Sequence, residues 1–254
     1  MIQVISVLAV LLAILPAQAA PRSGHADSSP ATQAMQDDDS QNPAFLWVQQ
    51  GENLWSQPAT PGGPSCATCH NAVTTMKGVS ARYPAFDPAL QRPVTLEQRI
   101  NLCRTEHQQT APLAAESDAL LGLSALIGLQ SRGMPLQVQQ SGPMTPFHDA
   151  GEKLFTTPQG QLDLSCSQCH DGLAGRSLAG SRIPEGHSNG YPLYRLEWQA
   201  MGSLSRRIRN CTTGVRAEPW PPGSPELVAL EVYLAGRAQA GTGGLTVETP
   251  AVRP

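Results

Sequence analysis

The chain carries one pentapeptide pattern twice, Cys66-Ala67-Thr68-Cys69-His70 and Cys166-Ser167-Gln168-Cys169-His170, one hundred positions apart. The pattern C-x-x-C-H is the sequence to which haem c is attached. The two thiols add to the haem vinyl groups as thioethers, and the adjacent His reaches the iron as proximal axial ligand. A structural disulfide or a zinc site also uses C-x-x-C, but neither requires His directly after the second Cys in two places. Two covalently bound haem c groups are therefore expected, on Cys66, Cys69 and His70 and on Cys166, Cys169 and His170. Two large apolar plates then set the fold, because short helices have to pack around them.

Composition agrees. Only 5% of the 254 residues are aromatic, and Gly and Pro number 23 each, which is a loop-rich chain with few large core side chains. Such a length fits two small domains or one large one. The net charge is -3 with no long basic or acidic run, so nucleic acid and anionic membranes are poor partners.

The first twenty residues read as a signal peptide, an apolar stretch ending in the A-x-A site Ala17-Gln18-Ala19, although its start lacks Lys and Arg. The apolar run from Val4 to Pro16 is short for a membrane span. Export suits haem c, which bacteria attach outside the cytoplasm, so the mature chain is expected in the periplasm. Residues 21–42, rich in Ser, Asp, Gln and Pro, are expected to form a disordered leader.

The duplication extends beyond the pentapeptides. Gly51-Glu52-Asn53-Leu54-Trp55 matches Gly151-Glu152-Lys153-Leu154-Phe155, each starting fifteen residues before the first haem cysteine. Tyr83-Pro84 and Tyr191-Pro192 follow, and nineteen residues after each Pro stands a further cysteine, Cys103 or Cys211, closing an R-I-x-x-C string. An apolar helical pattern comes next in each half, Ala119 to Leu129 and Leu227 to Leu234, the latter after the start signal Ser224-Pro225-Glu226. The predicted fold is all-α, with two tandem cytochrome c-type domains at 43–139 and 140–254, the second holding the active site and a C-terminal tail. The second half has eight more residues between its haem motif and Tyr-Pro, including His187 and Gly190.

A haem iron held by one His needs a second axial ligand or an open position. Met76, Met134, Met144 and Met201 do not occupy equivalent places in the two halves, but Cys103 and Cys211 do. Three fates are open to these two cysteines: a disulfide, as an exported protein would favour, inert thiols, or thiolate ligands each on its own half's iron. Equivalent positions of a repeat face equivalent features, and the shared feature is a haem, which favours the thiolates. On a helix Arg99 would lie over Cys103 and Arg207 over Cys211, where a guanidinium lowers a thiol's pKa. Arg195, Arg206, Arg209 and Arg216 are near in sequence but suit surface or propionate pairing equally well. His107, His148 and His187 are lone histidines, and bracing the inserted loop is the role expected of His187.

The stretch Gly190-Tyr191-Pro192-Leu193-Tyr194-Arg195-Leu196-Glu197-Trp198-Gln199, then Gly202-Ser203-Leu204, Arg206-Arg207-Ile208-Arg209-Asn210-Cys211 and Gly214-Val215-Arg216-Ala217-Glu218-Pro219, resembles the SoxA subunits of the SoxAX cytochromes. The segments Glu226 to Arg237 and Pro250-Ala251-Val252-Arg253 are also similar. With both attachment sites kept, the chain looks like the dihaem type. The resemblance implies a periplasmic L-cysteine S-thiosulfotransferase, which joins thiosulfate oxidatively to a cysteine of the carrier SoxYZ with the monohaem cytochrome SoxX as partner. It implies that Cys211 is the catalytic cysteine, a ligand of the second haem able to exist as a persulfide. It further implies that Arg207 binds substrate and that Cys103 ligates the first haem. Two alternatives stay open: a dihaem electron-transfer cytochrome with Met ligands, and a thiosulfate dehydrogenase forming tetrathionate.

Overall fold

The computed structural model describes residues 20–178, 180–240 and 243–254. The expected signal peptide lies almost wholly outside the described residues.

In the first half, α3 (Phe45–Ser56) precedes the haem-motif turn α4 (Cys66–His70), and the hairpin of β1 (Ala85–Asp87) and β2 (Arg92–Val94) leads into α5 (Leu96–Glu106) and α6 (Asp118–Leu129). The second half repeats this order with α7 (Thr145–Thr156), α8 (Cys166–His170), β5 (Leu193–Arg195), β6 (Ala200–Gly202), α9 (Leu204–Gly214) and α10 (Pro225–Gln239). A two-residue hairpin, β3 (Ser177–Leu178) with β4 (Ser181–Arg182), occupies the insertion, and β7 (Ala251–Arg253) ends the chain. The fold is therefore helical with short strands rather than all-α. Both Tyr-Pro bonds are cis.

Local chemistry starts several of the helices. Thr95 and Gln98 form a capping box at α5, the Ser203 hydroxyl accepts the Arg206 N–H at α9, and Ser224 with Pro225 opens α10. Helix α6 is buried on every side from Leu120 to Gly128, as an almost wholly apolar sequence requires. It packs on α3, and α10 packs on α7.

The repeated glycines sit where these helix pairs cross. A Cβ on Gly51 would collide with the Gly122 carbonyl, one on Gly122 would lie 2.7 Å from the Trp47 carbonyl oxygen, and one on Gly151 would collide with the Ala229 carbonyl. The backbones touch, so only glycine is accommodated.

The two halves share a core. Tyr194, Met201 and Val252 pack with Val48, Leu121 and Leu126 of the first half, and the Trp47 and Tyr194 ring centroids are 5.9 Å apart. Strand β5 is central in its sheet, antiparallel to β6 and parallel to β7.

Residues 21–42 correct the expectation of disorder. They form α1 (Gly24–Asp27) and α2 (Pro30–Asp37), capped by Ser23 and Ser29. The Gln36 amide oxygen accepts the Val252 N–H at 3.0 Å, and the Asn42 amide donates to the Pro250 carbonyl at 2.9 Å. The leader thus covers the outer edge of β7 and satisfies its backbone. Two buried amides order a segment that has almost no apolar signal.

Candidate active site

Each C-x-x-C-H pentapeptide forms one helical turn. Ser65 and Ser165 are the N-caps, and their hydroxyls accept the N–H groups of Thr68 and Gln168. On such a turn the two cysteines, three apart, and the His, four from the first, project from one side.

No disulfide joins any of the six cysteines. Cys103 lies on α5 and Cys211 on α9, each placed with the haem motif of its own half. Cys103 is within electrostatic reach of Cys66 and Cys69. Cys211 faces His170 and acts on Cys166, whose thiol is pushed up to about 11, by burial first and then by Cys211.

The His170 ring is fixed. Its Nδ1 lies 2.7 Å from the Pro184 carbonyl oxygen, so Nε2 is the nitrogen left for a metal on the side of Cys211. A carbonyl on the distal nitrogen sets the tautomer and orientation of a metal-binding imidazole. The ring of Phe155 lies 6.4 Å from that of His170, and Trp55 is 5.9 Å from His70 in the first half. Two thiols for thioethers, an oriented imidazole and an opposing sulfur are a donor set that fits haem c. His70 is exposed, and among the described residues no hydrogen bond joins it to Cys103.

The two leftover thiols differ in their surroundings. At Cys103 burial raises the thiol pKa and outweighs Arg99, with Glu106 and Cys69 adding to the rise. The arginine one turn earlier does pull the thiol down, as expected, but the net shift is upward. At Cys211 burial also raises the thiol, but the neighbouring His170 and the charges of Arg207 and Arg195 prevail, and the net shift is downward. Arg99 is ion-paired with Asp87, whereas among the described residues no carboxylate pairs with Arg207.

Other groups close the site. Tyr191 is held neutral, by burial first, with Arg207, Cys211, Arg195 and Arg253 around it. Arg195 projects from β5 over the Trp198 ring at 5.2 Å, and Arg206 stacks on the same ring at 4.1 Å. Met144 and Met201 are fully buried packing residues, in the small cluster around Val232 and in the shared core. His187 braces the inserted loop through Glu185 at 2.9 Å. Sequence patterning gave no role to Tyr191 or Asp87, and named Arg195 only as one of several nearby cations that suit surface or propionate pairing equally well. The signal available was the second Tyr-Pro pair, from which the strand register could have been counted.

Comparison with known proteins agrees with this arrangement. The SoxA/TsdA cytochrome c domain matches twice, over residues 50–136 and 150–241. The L-cysteine S-thiosulfotransferase subunit SoxA of Pseudaminobacter salicylatoxidans is 38% identical over 84% of this chain and 73% of its own length. That of Rhodovulum sulfidophilum is 36% identical over 91% of this chain and 80% of its own. The crystal structure of SoxXA from P. pantotrophus superposes with a TM-score of 0.87 at 34% identity, covering 92% of this chain and 87% of that one. Two domain matches over most of the chain, together with relatives above 30% identity, show that this chain belongs to the SoxA family of c-type cytochromes.

Proposed function

We propose that this chain is the dihaem subunit of a periplasmic L-cysteine S-thiosulfotransferase, with Cys211 as the reacting sulfur. The observation that carries the proposal is the setting of Cys211: beside an imidazole, His170, that is oriented by the Pro184 carbonyl, and one helical turn from an arginine with no carboxylate partner among the described residues.

The reaction joins thiosulfate to a carrier cysteine. One S–S bond forms, the carrier thiol loses its proton, and two electrons leave one at a time through a cytochrome of the SoxX kind to two equivalents of an oxidised one-electron acceptor. Cys166, Cys169, His170 and Cys211 would hold a haem c, which would supply an electron outlet for the oxidation. Cys211 offers a sulfur, bare or as a persulfide, for exchange. Arg207 offers a forked donor for the sulfonate oxygens. Cys66, Cys69, His70 and Cys103 would hold the first haem, in domain 43–139, and the active site belongs to domain 140–254. The partners are a SoxX-like monohaem cytochrome and a SoxYZ-like carrier. The A-x-A site at Ala17-Gln18-Ala19 supports export to the periplasm.

The test is to purify the chain with its cytochrome partner and supply thiosulfate, oxidised acceptor and carrier. Thiosulfate-dependent gain of mass on the carrier cysteine is expected. Tetrathionate formed without any carrier would replace this reading with a thiosulfate dehydrogenase. Electron transfer with neither product would replace it with a plain electron carrier.

A further inference from the structure

The repeat allows the two halves to be compared position by position. Counted from the two Tyr-Pro pairs, Ala85-Phe86-Asp87 of β1 corresponds to Leu193-Tyr194-Arg195 of β5, and Arg99 of α5 to Arg207 of α9. In the first half these two positions form an ion pair, Arg99 with Asp87. The same carboxylate accepts the N–H groups of Ala89 at 2.8 Å and Leu90 at 3.0 Å. Arg99 is neutralised, and little is left to attract an anion.

In the second half the sign at the strand position is reversed. Arg195 stands where Asp87 stood, and it and Arg207 repel each other. The Arg195 side chain is only 11% exposed. Glu197 holds its Nη2 at 2.7 Å from a carboxylate that is 63% exposed, while its Nε is buried with no partner. The neighbouring cations are otherwise engaged: Arg206 lies on Trp198 and donates to the Met201 carbonyl at 3.3 Å, and Arg253 is paired with Glu248. Two like charges held together, one of them in a largely buried side chain, are unfavourable unless an anion offsets them.

We propose that Arg195 is a second substrate-binding residue, and that the exchange of Asp87 for Arg195 between the repeats makes the second half an anion site and the first half a closed one. The inference rests on the functional reading above, that thiosulfate is the substrate. A divalent anion with three sulfonate oxygens can accept from both guanidinium forks at once. Its sulfane sulfur then points toward Cys211, which shares a helix face with Arg207.

The test uses the haem-loaded heterodimer, with haem content and circular dichroism measured for each variant. Two readouts are taken: KM and kcat for thiosulfate in conjugation, and thiosulfate binding by calorimetry with carrier and electron acceptor omitted. Arg195→Gln is expected to raise KM and weaken binding by about tenfold or more, with kcat changed less, as removal of a charged hydrogen-bonding partner does. Arg195→Lys restores part of the loss, because charge returns without the fork. Arg195→Asp, which rebuilds the first-half ion pair on Arg207, abolishes binding. An R195Q heterodimer with wild-type KM and wild-type binding overturns the inference while leaving the functional reading standing. A wild-type heterodimer that neither binds nor conjugates thiosulfate removes both. Should R195Q fail to accumulate with haem, R195K carries the test, and an unchanged KM in it overturns the inference.

Discussion

Cys103 and Cys211 are the same residue at the same step of a repeat, yet their environments push them in opposite directions. Burial favours the neutral thiol at both, and only at Cys211 do a neighbouring imidazole and two arginines reverse the outcome. The positions of the two cysteines were legible in the R-I-x-x-C strings. The sign of the charge facing each arginine was not, because it is set by a strand residue twelve positions earlier whose register appears only on folding. A second residue-scale consequence concerns His187. Its side chain is 5% exposed, and burial holds its pKa below the ordinary 6.5 despite the Glu185 partner. A depressed pKa means the folded state binds the proton less well than the unfolded one. His187 therefore contributes stability that is present above that ordinary value and is lost as the pH falls through the folded one. Melting temperature should drop on acidification below 6.5, and His187→Gln should flatten that limb while lowering the plateau. An unchanged acid limb in the variant would show that another group causes the loss.

At the scale of elements, the crossings of α3 with α6 and of α7 with α10 hold each half together, and both depend on a glycine. The matched Gly51 and Gly151 were visible as part of the repeat. Their reason was not visible, because close backbone approach leaves no mark in hydrophobic periodicity. Gly151→Ala places a methyl group on the Ala229 carbonyl, with Tyr233 Cβ 2.7 Å away. Such overpacking costs about 1–3 kcal/mol, or a melting temperature lower by roughly 2–10 °C at this chain length. Calorimetry of the purified variant checks this, and a melting point equal to wild type would mean the crossing relaxes without strain. The leader failed as a sequence expectation for a related reason. Composition registers the absence of apolar residues, whereas α2 is held by single long-range hydrogen bonds from Gln36 and Asn42 to the last strand. Gln36→Ala should free that strand edge and raise hydrogen exchange at Val252, while protection unchanged there would mean the leader is not what covers it.

At the scale of the molecule, the halves meet around a cavity of about 370 Å³ lined by Tyr83 and Tyr191 and by three carboxyls, Glu97, Glu116 and Glu231. Burial raises the pKa of Glu231 well above the usual carboxyl range, with Glu97 and Glu116 adding to the rise, and burial raises Glu97 as well. A raised folded-state pKa gives stability that is full below the ordinary carboxyl value and declines as the pH rises through the folded one. Glu231→Gln should remove part of that decline, so its advantage in melting temperature over wild type grows from about pH 5 to about pH 8. A constant difference would place the ionised carboxyls in water. Two halves, one repeat and one shared core were partly legible: the repeat by counting, the merged core not, since nothing in the period of α6 reports that Tyr194 and Val252 will pack beside it. The functional claim is that sulfur chemistry resides in one half, at Cys211. The direct measurement is the mass of the carrier cysteine after incubation with thiosulfate, oxidised acceptor and the haem-loaded heterodimer carrying Cys211→Ser. The account predicts a variant that keeps its covalent haem and adds no thiosulfate to the carrier, and carrier conjugated at the wild-type rate would contradict it.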